Sequence, residues 1–338
     1  MSNITKSKTE TKYYVFEYIW LDSEDKFRSK IRVMQSFDLE HLPIWNYDGS
    51  STGQATTKHS EILLYPVKVY NSPISPVDYY VLCEIKDPRT NEFIGNRHNA
   101  NQLFNKYKNL EPMFGLEQEF FMIDTTTNLP LGLKVDSEQG NIYCGVGSKY
   151  VHGRKYLDNI LYYSLIMGIK ITGMNYEVAP GQAEFQVCNI GIDACDDLQI
   201  LRFFMLKLGE YYNIHIDIHP KPLSNKQFNG SGCHINFSTN EMRQVSQEQS
   251  RKITHEMVSK LEKRHTEFID NYYGSDNKLR LTGDCETGDY NTFTCYEGGR
   301  GGSIRIPTSG NYFEDRRPAS NINPYLACSK LMDCVLET

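Results

Sequence analysis

Glutamates stand where this chain ought to be apolar. Glu117, Glu119, Glu177, Glu184 and Glu314, together with His234, each lie in a short apolar or glycine-rich segment rather than in a charged surface run. Gly115-Leu-Glu-Gln-Glu-Phe-Phe sets two carboxylates at i and i+2, which on a strand project from one face. Clustered buried carboxylates are costly unless cations neutralise them. An oxygen-rich donor set with one imidazole suits Mg2+ or Mn2+ better than structural zinc, and six such donors fit two ions. The fold must then carry distant segments to one rigid surface, and a sheet face does this well. The competing reading pairs each glutamate with a lysine or arginine. For Glu117 and Glu119 no lysine follows within reach to neutralise both.

At 338 residues the chain is long enough for two domains or one large one. Its 39% hydrophobic and 23% charged residues are those of a globular protein. A net charge of −6 without a polybasic run gives no general attraction for nucleic acid or anionic lipid. Nine scattered cysteines with no C-x-x-C pair fit free thiols in a reducing cytosol. The polar N-terminus lacks the apolar core of a signal peptide, and Ile160–Ile169 is shorter than the roughly 20 residues a bilayer requires. A cytoplasmic enzyme, with no membrane or nucleic-acid partner, is therefore expected.

Residues 1–12 read as a flexible tail. Short apolar runs separated by Asp, Gly, Ser and Pro then fill 13–89 as strands of a small β-rich domain. After the polar stretch Lys86-Asp-Pro-Arg-Thr-Asn-Glu, residues 96–338 alternate strand and helix patterns. Helices are expected from Gly153 to Gly168, with Leu157, Ile160, Leu161 and Leu165 inward, and from Asp193 to Tyr212. A capping box at Ser246-Gln-Glu-Gln opens another, with Ile253, Met257, Leu261 and Phe268 inward. Asn323-Pro324 opens the last. Strands are expected around 115–123, 171–178, 183–188, 233–238 and 303–306, so the acids and His234 fall on or beside them.

Arginines form a second set. Arg300 lies between glycine pairs, Arg305 in a strand, and Arg316 and Arg317 just after Glu314. Guanidinium forks bind phosphate and carboxylate bidentately, although the same arginines could simply pair with the acids beside them. His234 alone would read as a core histidine, but in Asn229-Gly-Ser-Gly-Cys-His it follows a glycine loop that a ligand can approach. Neither a P-loop nor a dinucleotide fingerprint is present. Trp45-Asn-Tyr-Asp-Gly-Ser-Ser-Thr reads, on its own, as a turn.

Taken together, these segments resemble the glutamine synthetase family, in its eukaryotic-type branch. The matching pieces are Trp45-Asn-Tyr-Asp-Gly-Ser-Ser-Thr, Phe114-Gly-Leu-Glu-Gln-Glu, Tyr143-Cys-Gly-Val-Gly, Asn175-Tyr-Glu-Val-Ala-Pro-Gly-Gln-Ala-Glu-Phe-Gln, Asn229-Gly-Ser-Gly-Cys-His-Ile-Asn-Phe-Ser, Arg280-Leu-Thr-Gly, Ser303-Ile-Arg-Ile-Pro and Tyr312-Phe-Glu-Asp-Arg-Arg-Pro. They run in family order from about residue 13 to the C-terminus.

The resemblance implies an α+β protein: an N-terminal β-grasp domain, then a larger catalytic domain with a curved antiparallel sheet flanked by helices. It implies ATP-dependent ligation of ammonia to L-glutamate, with two or more Mg2+ or Mn2+ ions per site. Glu119, Glu177 and Glu184 would hold one ion; Glu117, His234 and Glu314 the ion serving the ATP phosphates. Arg300 and Arg305 would meet those phosphates, with Asn189, Asn236, Phe237, Ser238, Tyr312 and Phe313 around the nucleotide. Asn229, Gly230, Arg280, Arg300 and Arg316 would bind glutamate. Asp48 would take the ammonium proton, with Ser51, Tyr143 and the flap acid Glu286 completing that pocket. It implies homo-oligomers with shared sites, two stacked pentamers. A ligase for another amine, or a non-catalytic relative, are the alternatives. Departures from the family pattern are Met113 for a tryptophan, Cys188-Asn189 for Gly-Pro, Cys285 for a flap histidine and Phe228 for a tryptophan.

Overall fold

Alternating side chains build the first sheet. In the strand β1 (Tyr14–Leu21), Phe16, Tyr18 and Trp20 project to one face and are buried there. It pairs antiparallel with β2 (Phe27–Met34). Strands β3 (Trp45–Asp48), β4 (Glu61–Asn71) and β5 (Tyr79–Asp87) complete the order β2-β1-β5-β4-β3. The β1–β5 pair is parallel, which makes the sheet mixed. Tyr47, Ile62, Leu64, Val81, Cys83 and Ile85 join the β1 aromatics in one core, where Trp20 and Tyr47 lie 4.5 Å apart. A short strand, β6 (Glu92–Ile94), turns back on β5, and Asp87 closes that turn by accepting from the backbone and guanidinium of Arg89. The computed structural model describes residues 12–134, 137, 139–140, 142–223, 228–284, 286–308 and 310–337. Cys285 and nearly all of the expected N-terminal tail lie outside the described residues.

By its contacts the chain divides into two compact units, Met1–Gly95 with Ile166–Gly168, and Asn96–Leu165 with Ile169–Thr338. The second is built on β7 (Met113–Asp124), whose neighbours are β10 (Gln182–Ile190) and β12 (Cys233–Ser238). The remaining strands are β8 (Leu129–Pro130), β9 (Ile171–Tyr176), β11 (Ile214–Asp217), β13 (Cys295–Glu297), β14 (Ile304–Ile306) and β15 (Phe313–Asp315). The path runs β13-β14-β15-β12-β7-β10-β9, with β8 and β11 also on β7. An antiparallel sheet is the expectation; β13 and β14 depart from it by running parallel. The glycines between Glu297 and Ser303 let so short a loop double back, with Gly298 at φ +74°.

Helices α1 (Asn96–Tyr107), α2 (Arg154–Met167), α3 (Ile192–Tyr212), α4 (Asn240–Gln244), α5 (Gln247–Lys263), α6 (His265–Asn271) and α7 (Pro324–Leu336) complete the unit. Asp196 on α3 ties three of them, accepting from Arg97 on α1 (2.8 Å) and Tyr325 on α7 (2.7 Å). The Ser246–Gln249 capping box is present, and Asn323 caps α7 with Pro324 in its first turn. Two helix expectations need correction. On α2, Leu165 is exposed and the buried stripe is Tyr156, Leu157, Ile160, Ser164 and Met167, because Leu165 lies about 100° round from Ser164. The helix opened at Ser246 stops at Arg264, which leaves the helical region at φ −115° and binds Glu267 at 2.6 Å. Phe268 is buried from α6, not from a continuation of α5, and Ile253 is only half-buried.

Candidate active site

Strand register assembles the site. Glu119 lies opposite Glu184 across β7–β10, Glu117 opposite His234 across β7–β12, and Arg305 opposite Glu314 across β14–β15. Opposed residues on antiparallel strands share a face, so five separate strands deliver their side chains to one side of the sheet. The turn after β9 brings Glu177 to the same place, with its N–H donating to Gln182 O at 3.1 Å. Apart from Glu314, these groups line a cavity of about 540 Å3, together with Arg280, Arg300 and Arg316.

Glu117, His234 and Glu314 converge so that one ligand atom from each lies within 4.8 Å of the others. His234 Nδ1 is 3.3 Å from Glu117 and 3.5 Å from Glu314. Its Nε2 lies 3.0 Å from Arg280 Nη2. Burial, then Arg316 and Arg280, depress the imidazole well below its usual range, so it is neutral and fit to ligate. Glu119, Glu177 and Glu184 line the same cavity without drawing into so tight a group. Burial, then Glu177, pushes Glu119 up to about 8; burial pushes Glu177 to about 7. Glu184 is raised well above the carboxylate range by burial and its three acidic neighbours. A hard divalent cation would relieve all three.

Glu314 is gripped from two sides, by Arg316 Nη1 at 2.6 Å and Arg305 Nη1 at 2.7 Å. Behind it, on the opposite face of the same strand, Asp315 accepts two bonds from Arg317 (2.9 and 2.5 Å) and one from Tyr273 (2.7 Å). Arg317 is itself boxed by the rings of Phe268, Tyr273 and Phe293. Arg316 also reaches the carbonyl of Glu286, a non-glycine residue at φ +59°, at 3.2 Å. Glu286, Tyr143, Asn229 and Gly230 line the polar cavity, and Asn229 accepts from Gln139 at 2.7 Å.

A second cavity of about 580 Å3 shares Glu117 and Gln186 with the first. Met113, Cys188, Asn236, Phe237, Ser238 and Tyr312 are among its lining, which suits a flat, largely apolar group. Two expected nucleotide residues lie elsewhere. Asn189 turns its amide to Asp197 at 3.0 Å, at the start of α3, and Phe313 is fully buried against Phe237. Asp48 belongs to the first unit, where it caps a helical turn and accepts from the hydroxyls of Ser50 (2.6 Å) and Ser51 (2.7 Å). Those hydroxyls, Ser50 first, hold its carboxyl below the usual range. Residues missing from the sequence reading are Asn175, Gln182 and Gln186, whose amides touch the acids.

Clustered buried acids, opposed by arginines across one sheet face, are the equipment of a divalent-metal enzyme acting on anionic substrates. The family model described as glutamine synthetase, catalytic domain, matches residues 94–337. A relative from Acanthamoeba polyphaga mimivirus is 44% identical, covering 98% of this chain and 97% of its own. The glutamine synthetase of Saccharomyces cerevisiae is 43% identical, with 95% and 89% covered. The glutamine synthetase cytosolic isozyme 1-1 of Oryza sativa is 38% identical, with 99% and 97% covered. The chain belongs to the glutamine synthetase family.

Proposed function

We propose that this chain makes glutamine from L-glutamate, ammonia and ATP through γ-glutamyl phosphate, with its residues in the roles that follow. The supporting observation is the register that sets Glu119 against Glu184 and Glu117 against His234 beside an arginine-clamped Glu314. Glu119, Glu177 and Glu184 would hold one divalent ion, and Glu117, His234 and Glu314 another. The elevated, mutually repelling carboxylates and the neutral imidazole fit such ions. When bound, Mg2+ or Mn2+ neutralises phosphate charge as it shifts between attacking and leaving oxygens.

The chain's own groups do the rest. Arg280 and Arg316, with Asn229 and Gly230, orient glutamate in the polar cavity, while Arg300 and Arg305 face the phosphates. The second cavity takes the nucleoside between Phe237, Ser238 and Tyr312. The glutamate γ-carboxylate attacks the terminal phosphorus and ADP leaves; ammonia then displaces phosphate from the acyl phosphate. Asp48, from a neighbouring subunit, is held ionised, binds ammonium and takes its proton, so that ammonia is the attacking group. Ser51 and Tyr143 flank it, and Glu286 closes the site against water. This reading includes a β-grasp first domain spanning 13–89, a catalytic domain over 96–338, a decamer of two stacked pentamers and a cytoplasmic setting. Among the described residues no helix is long and apolar enough to cross a membrane.

A coupled assay of ADP release with glutamate and Mg2+ tests it. Release should require ammonium and be matched by glutamine. Release that depends on another amine and ignores ammonium would overturn the choice of acceptor.

A further inference from the structure

The four acids on or beside β7, β9 and β10 are held differently from Glu314. Glu314 is bound by two guanidinium groups. Each of the four instead accepts from a neutral carboxamide. Asn236 Nδ2 donates to Glu117 at 2.7 Å, and Gln182 Nε2 to Glu119 at 3.2 Å. Asn175 Nδ2 donates to Glu177 at 2.8 Å, and Gln186 Nε2 to Glu184. The last two amides are also joined, because Gln186 Nε2 lies 2.7 Å from Asn175 Oδ1. A continuous chain of bonds therefore runs from Glu184 through Gln186 and Asn175 to Glu177.

A second feature keeps that chain in place. Gln186 is paired in register with Gly173 on β9, and its amide oxygen occupies the space a side chain there would take. A Cβ at position 173 would sit 1.9 Å from Gln186 Oε1. The glycine is not in a left-handed conformation, so what it supplies there is room.

The distinction has a chemical consequence. A guanidinium on a carboxylate neutralises it and competes with a cation for its lone pairs. An amide N–H fixes the carboxylate's direction and leaves its charge in place. We propose that Gln186 and Asn175 are positioning residues, which jointly aim the Glu177 and Glu184 carboxylates at one divalent cation without neutralising them. The inference rests on the reading of this cavity as a metal site and adds the residues that tune it. Partners of this kind, one bond away from the ligands, typically change metal affinity by about 10–100-fold when removed.

Manganese titration calorimetry on the full chain tests it, comparing wild type with Gln186→Met and Gly173→Ala. The first variant removes the amide at nearly constant volume; the second leaves the amide but pushes it aside. Both should bind Mn2+ about 10–100-fold more weakly. The Mn2+ concentration for half-maximal glutamine formation should rise by the same factor, with kcat recovering at saturating Mn2+. Far-UV circular dichroism in EDTA should match wild type. A Mn2+ affinity within twofold of wild type in either folded variant would overturn the proposal, and so would a loss of kcat that excess Mn2+ does not restore. If one variant does not fold, the other decides. Wild-type protein that takes up no Mn2+ would instead sink the reading of the site itself, and needs no variant to show it.

Discussion

Glu119 carries the sharpest consequence of burial at a single residue. Its carboxyl is raised from 4.5 to about 8, and Glu177 follows to about 7. Between the unfolded and folded values the native state holds protons that the unfolded chain has released, so stability falls as pH rises through that window. Metal-free protein should therefore melt at a lower temperature at pH 8 than at pH 5.5, and added Mn2+ should reverse the order. Thermal scans in EDTA and in Mn2+ check this; an apo melting temperature that rises from pH 5.5 to 8 would contradict it. Glu117→Gln keeps the shape but removes a charge beside His234 and Glu314. Glutamine formation should fall by at least about 100-fold, judged against the cost of losing one preorganised electrostatic group. The acids themselves were legible, because i and i+2 on an apolar strand leaves few alternatives. Two of the amide partners follow the same spacing, Asn175 two before Glu177 and Gln186 two after Glu184. They passed unread because a neutral amide on a strand has many ordinary uses and only its partner reveals which one applies.

Among the elements, β15 does the most with the fewest residues. Glu314 holds the cavity-lining Arg305 and Arg316 while Asp315, on the other face, anchors Arg317 and Tyr273. Removing Asp315's charge leaves a guanidinium buried without its counter-ion. Asp315→Asn should cost about 3–5 kcal/mol in urea unfolding, against about 1 kcal/mol for Ser246→Ala at the α5 cap. Equal losses for the two would show that the buried pair contributes less than its geometry implies. Helix starts were readable because capping is local: Ser246 and Asn323 each bond to residues three further on. The α2 face and the break at Arg264 were not, since both are set by what packs against the helix. The parallel β13–β14 pair was equally hidden, as loop glycines permit several returns and only the neighbouring strand selects one.

For the molecule as a whole, Asp48 and the polar cavity's lining belong to different compact units. The proposed sharing of sites between subunits has a direct test. Asp48→Asn and Glu119→Gln proteins, each inactive, should regain activity when unfolded together and reassembled, because some sites then receive an intact set from two chains. Mixtures that stay as inactive as their parents would place every catalytic group within one chain. From sequence alone the Asp48 turn carried no such meaning; only its kinship gave it one. The stretch Phe313–Arg317 sets a last constraint. Its five side chains are committed in turn to core packing, cavity and rear anchor, with none left to spare. Deleting or inserting one residue there would exchange the two sets. A random-mutagenesis library should therefore return few soluble but inactive survivors from this segment, since damage to the chemistry and collapse of the protein share the same letters.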